Sequence, residues 1–218
     1  VQIPVHSKCL ILSPHQDDEY LGCTALMLRN EQASFIIRPV CGCTGPSKKY
    51  PYLKGHDLDI TRCLESKIAA RHFKNIYYHA GRESYLFRNE NNDYITEKEM
   101  YDKLTDPKLL PDFNFDFIFT THYNDKHDEH QHLGKAILQI AKEKKFLDKL
   151  YFFFVDKSEA EKSKKWEMDF INKKITLELT KEEIEFKKNI MDIFQTQSHF
   201  LPNLVRREVY WYERFYNV

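Results

Sequence analysis

Short apolar runs alternate with longer mixed ones along most of this chain. Cys9-Leu10-Ile11-Leu12 is uninterrupted and predicts a buried strand, and residues 20–28 follow it as a helix. Residues 34–40 (Ser-Phe-Ile-Ile-Arg-Pro-Val) predict a second strand. A loop with Gly45, Pro46 and Pro51 comes next. Residues 58–73 carry helical spacing, with Leu58, Cys63, Ile68 and Ala69 apolar, and residues 75–79 a short strand. The stretch 80–114 is polar and irregular, with a helix expected near 97–104. Residues 116–121 predict a fourth strand, 133–142 a helix and 150–155 a fifth strand. Strand–helix alternation of this kind predicts an α/β fold, a mostly parallel sheet with helices on both faces.

The last third changes character. Residues 171–179 alternate and predict an edge strand, 181–195 a charged amphipathic helix, and 209–216 form a tail rich in Tyr, Trp and Phe. No internal repeat, low-complexity tract or linker divides the chain, so residues 1–218 are expected to form a single domain.

Two polar clusters interrupt the pattern, each at the end of a predicted strand. The first is Pro14-His15-Gln16-Asp17-Asp18-Glu19. The second is the run 122–132, which holds His122, His127, His130 and His132. If both strands lie parallel in one sheet, the clusters face each other across a crevice at its carboxyl edge, where α/β folds collect ligands. Imidazole plus carboxylate suits a divalent metal such as zinc. Of two adjacent acids on a tight turn, one can bind the metal while the other serves the reacting water. The plainer reading of Asp17 is a helix N-cap. His127 and His130 are three apart and share a face if the helix has begun. His122 and His132 read as supporting or surface residues. Asp125 is placed to orient an imidazole.

Charge narrows the partners. Lys and Arg total 33 and Asp and Glu total 33, so no global field favours nucleic acid. The basic residues of 157–165 are interleaved with Glu159 and Glu161 and read as a solvated face. The five cysteines make no disulfide framework, and Cys41-Gly42-Cys43 lacks the second pair of a zinc knuckle. Reduced thiols, no apolar run near the ~20 residues of a bilayer span and no signal-peptide pattern lead to the expectation of a soluble, cytoplasmic protein.

The two clusters resemble the signature motifs of the LmbE-like (PIG-L) zinc-dependent de-N-acetylases. Pro-His-Gln-Asp-Asp-Glu at 14–19 is similar to the first motif, and Asn-Asp-Lys-His-Asp-Glu-His at 124–130 to the second. Arg62-Cys63-Leu64-Glu65 resembles an Arg-x-x-Glu helix motif, and Gln197-Ser198 with Glu213-Arg214-Phe215 loosely resembles the closing segment. The resemblance implies a Rossmann-like fold and a Zn2+ cofactor held by His15, Asp18 and His130. It makes Asp17 the general base and a protonated His127 the electrostatic and acid partner. Glu129, where the family usually has Asp, would orient His127, with Asp125 able to take over that contact. Gln16 and Asp128 stand where prolines are common. The implied substrate is an N-acetylated sugar or glycoconjugate.

Substrate contacts are expected from Arg62 and from the 81–92 loop, whose Arg82, Tyr85, Phe87 and Arg88 suit a sugar face and an anionic aglycone; Tyr85 and Arg88 are the chosen contacts there. Two other readings stand beside the deacetylase. One is a zinc amidase acting on a different amide, such as a thiol conjugate. The other is a non-catalytic glycan-binding protein. A nucleotide-binding domain is disfavoured, because the first strand–helix turn lacks Gly-x-Gly-x-x-Gly.

Overall fold

A computed structural model describes residues 2–41, 49–78, 96–106, 114–125, 127–155, 174–197 and 212–217. The chain runs β1 (Lys8–Ser13), α1 (Asp18–Arg29), β2 (Ser34–Pro39), α2 (Gly55–Ala70), β3 (Ile76–Tyr78), α3 (Glu97–Thr105), β4 (Phe117–Thr121), α4 (Asp128–Lys144), β5 (Leu150–Phe153), β6 (Lys174–Glu178), α5 (Lys181–Asp192) and β7 (Tyr212–Asn217). The seven strands make one sheet in the order β3-β2-β1-β4-β5-β7-β6. The first five are parallel. β7 pairs antiparallel with both β5 and β6, which leaves β6 at the edge.

Alternation along β1 sorts the core onto two faces. Cys9 and Ile11 pack with α1 and α5 residues such as Leu26, Ile190 and Met191. Leu10 and Leu12 pack with α3 and α4 residues such as Leu104, Leu133 and Ile137. Both faces are covered, which is why the strand reads as continuously apolar. The edge assignment of β6 and the helices at 97–105 and 181–192 follow the sequence expectation. α3 and α5 each begin at a threonine whose side chain caps a glutamate three residues on, Thr96 with Glu99 and Thr180 with Glu183.

The sequence did not show that the aromatic tail is an inner strand. Glu213 of β7 is buried, and its carboxylate accepts hydrogen bonds from Ala25 N at 2.8 Å and Leu26 N at 2.9 Å, inside α1. Lys187 Nζ of α5 donates to it at 3.0 Å, and both side chains have 0% exposure. A buried carboxylate is costly unless paired and hydrogen-bonded, and here it is both.

β1 pairs with β2 on one side and β4 on the other. The winding reverses between β1 and β4, so a crevice opens beyond their carboxyl ends. No helix among the described residues is long and apolar enough to cross a membrane.

Candidate metal and active site

Residues 14–18 leave β1 and residues 122–130 leave β4, so the two polar clusters meet over that crevice. His15 Nδ1 lies 3.2 Å from Asp18 Oδ2, and His130 Nε2 lies 3.2 Å from the same oxygen. The three groups form one of two candidate metal-binding sets among the described residues. Tetrahedral zinc with ligands at ~2.0–2.1 Å has ligand–ligand edges of roughly 3.3 Å. The two short edges therefore match a metal-binding triad.

The opposite ring nitrogens are also engaged. His15 Nε2 meets Glu129 Oε2 at 2.5 Å, and His130 Nδ1 faces Asp125 Oδ1 at 3.1 Å. A carboxylate behind each imidazole fixes its tautomer and orientation, the usual support for a metal-bound histidine. Asp125 also accepts from His127 N and from Val155 N, each at 3.2 Å, which ties it to the ends of α4 and β5. Glu129, expected to orient His127, is bonded here to His15. His15, His127 and Glu129 make up the second candidate set, their ligand atoms all within 4.8 Å.

Charge follows geometry. Burial disfavours a proton on His15, but Glu129 and Asp18 outweigh it and raise the pKa to about 9. His130 is likewise raised against burial by Asp18 and Asp125. Burial would lift the Asp18 pKa, yet His130 and His15 hold it well below the usual carboxylate value.

Asp17 occupies the N-cap position of α1, yet its side chain makes no capping bond. Its backbone has φ 125°, a conformation that costs free energy for a non-glycine residue. Burial raises its pKa to about 6, with Arg62 opposing and Asp18 adding to the rise. Glu19, directly beneath, accepts from Ser13 Oγ at 2.9 Å and Ser66 Oγ at 2.7 Å, and burial raises its pKa to about 7.

His127 occupies the N-cap position of α4 without a side-chain capping bond and is exposed. Its ring centroid is 5.2 Å from that of His15 and 4.9 Å from that of His130. Partial burial and those two imidazoles lower its pKa, which favours the neutral ring over the protonated form expected from the sequence. His122 is no surface residue. It is fully buried, stacked on Tyr123 and Phe154 at 4.3 Å each, and burial lowers its pKa to about 3.

Arg62, read from the sequence as a substrate contact, is 3% exposed and lies under the turn. One of its terminal nitrogens donates to Gln16 O at 2.5 Å and meets Asp17 Oδ2 at 3.1 Å. Tyr85 and Arg88, with the rest of the 81–92 loop, lie outside the described residues.

Fold and site together define an α/β protein with a histidine–carboxylate centre at the switch point of its sheet. Residues 10–141 match the GlcNAc-PI de-N-acetylase (PIG-L) family, and the chain belongs to that family. No curated protein matches the sequence significantly. Among solved structures, the chain is similar to a deacetylase of the teicoplanin biosynthesis pathway, with TM-score 0.64 and 14% identity over 96% of this chain and 97% of that one. It is also similar to N,N'-diacetylchitobiose deacetylase from Pyrococcus horikoshii, with TM-score 0.65 and 16% identity over 96% of this chain and 82% of the other. The 4-carboxy-2-hydroxymuconate hydratase of Pseudomonas putida KT2440 shares the fold more distantly, with TM-score 0.52 and 16% identity over 92% and 83% of the two chains. At such identities the likeness is one of fold, and function rests on the site.

Proposed function

We propose that this protein is a zinc-dependent hydrolase that removes the acetyl group from an N-acetylated sugar or glycoconjugate. The observation that carries the reading is the convergence of His15 Nδ1, Asp18 Oδ2 and His130 Nε2 beside the strained, half-buried Asp17. Family membership and the deacetylases among its structural relatives support it.

His15, Asp18 and His130 would hold the metal, leaving a position open as catalytic sites require. When bound, zinc would supply Lewis acidity to the amide carbonyl and to the attacking water. Asp17, with a pKa raised to about 6, is a carboxylate suited to accept the water's proton near neutral pH. His127, at the mouth of the site, donates a hydrogen bond from its neutral ring to the oxygen that gains charge as the carbonyl becomes tetrahedral. The proton taken by Asp17 passes to the departing nitrogen as the C–N bond breaks. Acetate and a free amino sugar result, and the atoms of one water are consumed.

The test is acetate release from a panel of N-acetylated sugars, N-acetylglucosamine and N,N'-diacetylchitobiose among them, with zinc supplied and then chelated. Asp17→Asn should keep the metal and lose most turnover. His127→Ala should keep the metal and slow turnover by roughly 10²–10³-fold, as for loss of one oxyanion donor. His15→Ala should lose the metal. Zinc-dependent cleavage of other amides, with sugars untouched, would favour the amidase reading. Hydration of an unsaturated acid without any amide cleavage would align the chain with the hydratase instead.

A further inference from the structure

α2 turns two different faces to its surroundings. On the inner face Asp59 accepts from Gln16 Nε2 at 2.8 Å, and Ser66 Oγ donates to Glu19 at 2.7 Å, so this side grips the first motif. The outer face carries Ile60, Leu64 and Ile68 in steps of four, and they are 42%, 53% and 47% exposed. Asp57 stands three residues before that row and Arg71 three after it, both exposed. At 3.6 residues per turn these five positions share an arc of about 80°, opposite Asp59 and Ser66. Neither Asp57 nor Arg71 has a side-chain hydrogen bond or ion pair among the described residues.

Isolated apolar residues on a surface are ordinary, but an unbroken row on a helix already packed on its other side marks a contact surface. Helix-dipole complementarity accounts for an acid in the first turn and a base at the end. It does not account for three large aliphatic side chains between them. The row is symmetric about Leu64: Ile60 and Ile68 lie four residues to either side, and Asp57 and Arg71 lie seven. A second α2, laid antiparallel across a two-fold axis at Leu64, sets Leu64 against the partner's Leu64 and Ile60 against the partner's Ile68. The same operation brings Asp57 to the partner's Arg71. Each such pairing occurs twice, because a two-fold interface uses the same patch on both subunits.

We propose that the outer face of α2 is a docking surface for a second copy of this chain, in an antiparallel two-fold pairing centred on Leu64. Apolar matching at the centre and opposite charges at both ends make the face complementary to itself. The partner would lie on the side of α2 away from the first motif, which leaves the crevice open to substrate. A pair of four-turn helices, each about 24 Å long, makes an interface at the small end of the usual range, so association is weak and concentration-dependent.

The experiment is sedimentation equilibrium of the full chain from about 1 to 200 µM. A monomer–dimer equilibrium with Kd of about 10–100 µM is expected. Leu64→Glu sets two carboxylates against each other on the axis and should leave only monomer. Asp57→Arg and Arg71→Asp should each weaken the dimer about tenfold or more, since like charges then meet at both ends. Combined, they should restore parental affinity to within about threefold, because the exchanged charges still meet across the axis. All these positions are exposed, and circular dichroism should show the parental fold. Under copper–phenanthroline oxidation, Leu64→Cys should cross-link far more than the parent or Ile60→Cys, because only position 64 meets itself. A double charge variant no better than the singles, or equal cross-linking at 60 and 64, overturns the proposal. So does monomer at every concentration. If that monomer instead sediments with phosphatidylcholine–phosphatidylglycerol vesicles and Leu64→Glu abolishes the binding, the face belongs to a lipid surface. The readout is association, so it stands apart from the reading of the site as a hydrolase.

Discussion

Replacing Gly134 with alanine tests how the second cluster is held in place. Gly134 lies one turn beyond His130 on the same face of α4. A Cβ there would sit 2.6 Å from Thr121 O, 2.6 Å from Tyr123 N and 2.9 Å from Tyr123 Cα. All three are backbone atoms at the end of β4, so no side chain can swing aside. The shortest approach is about 0.8 Å inside ordinary van der Waals contact. α4 must therefore back away from β4, carrying Glu129 and His130 with it. Overpacking of this kind costs about 1–3 kcal/mol. At about 2–4 °C per kcal/mol for a chain of this size, a cost of about 2 kcal/mol lowers Tm by about 4–8 °C. Metal sites tolerate displacements of only about 0.5 Å, so zinc affinity should fall as well, by about tenfold or more. Calorimetry gives the first quantity, and competition with a chromophoric chelator the second. An alanine variant with parental Tm and parental zinc affinity would refute the idea that α4 is pinned through Gly134.

Three further outcomes are expected. Asp125→Asn and Glu129→Gln should each weaken zinc binding by about 10–100-fold, and chelator competition showing parental affinity would mean that these carboxylates do not support the imidazoles. Zinc binding should release protons at pH 7, because His15 titrates near 9 and His130 well above its ordinary value in the metal-free protein; affinity then weakens as pH falls, and calorimetry in two buffers of different ionisation enthalpy should show it. His122 has its pKa lowered to about 3 from 6.5, so between those values the unfolded chain binds more protons and stability falls with falling pH. His122→Asn should flatten that slope in urea unfolding between pH 4 and 7, and an unchanged slope would assign it to other groups.

The parallel core was legible because β1 and β4 are buried on both faces and leave no polar position to blur the run. The meeting of the two clusters followed from strand ends alone. α4 begins at Asp128, earlier than the apolar spacing suggested, because its first turn, Asp128-Glu129-His130, carries the polar groups that face the crevice. β7 was hidden because its inward-pointing Glu213 breaks the apolar alternation, and it is the distant Lys187 and the α1 amides that make that burial tolerable. The place of Arg62 was out of reach for a similar reason, since an arginine with an acid three residues away gives no sign of which distant turn it serves. The support of His15 by Glu129 depends on a contact across 114 residues of chain. The part assigned to Tyr85 and Arg88 lies outside the described residues.

The Glu213 clamp has a consequence in time. The α1 backbone it holds is separated from it by 188 positions at Ala25. At synthesis rates of about 5–20 residues per second, α1 and the turn bearing Asp17 exist for about 10–40 s before β7 is made. From the completion of β5 at Phe153 until then, about 3–12 s at the same rates, the place of β7 beside β5 stands open, and Lys187, once made, has no carboxylate from β7 to meet. A nascent chain of this protein therefore presents an unfinished sheet edge to whatever surrounds the ribosome. The turn that carries Asp17 is encoded early, but the carboxylate that holds the helix behind it arrives 188 positions after Ala25.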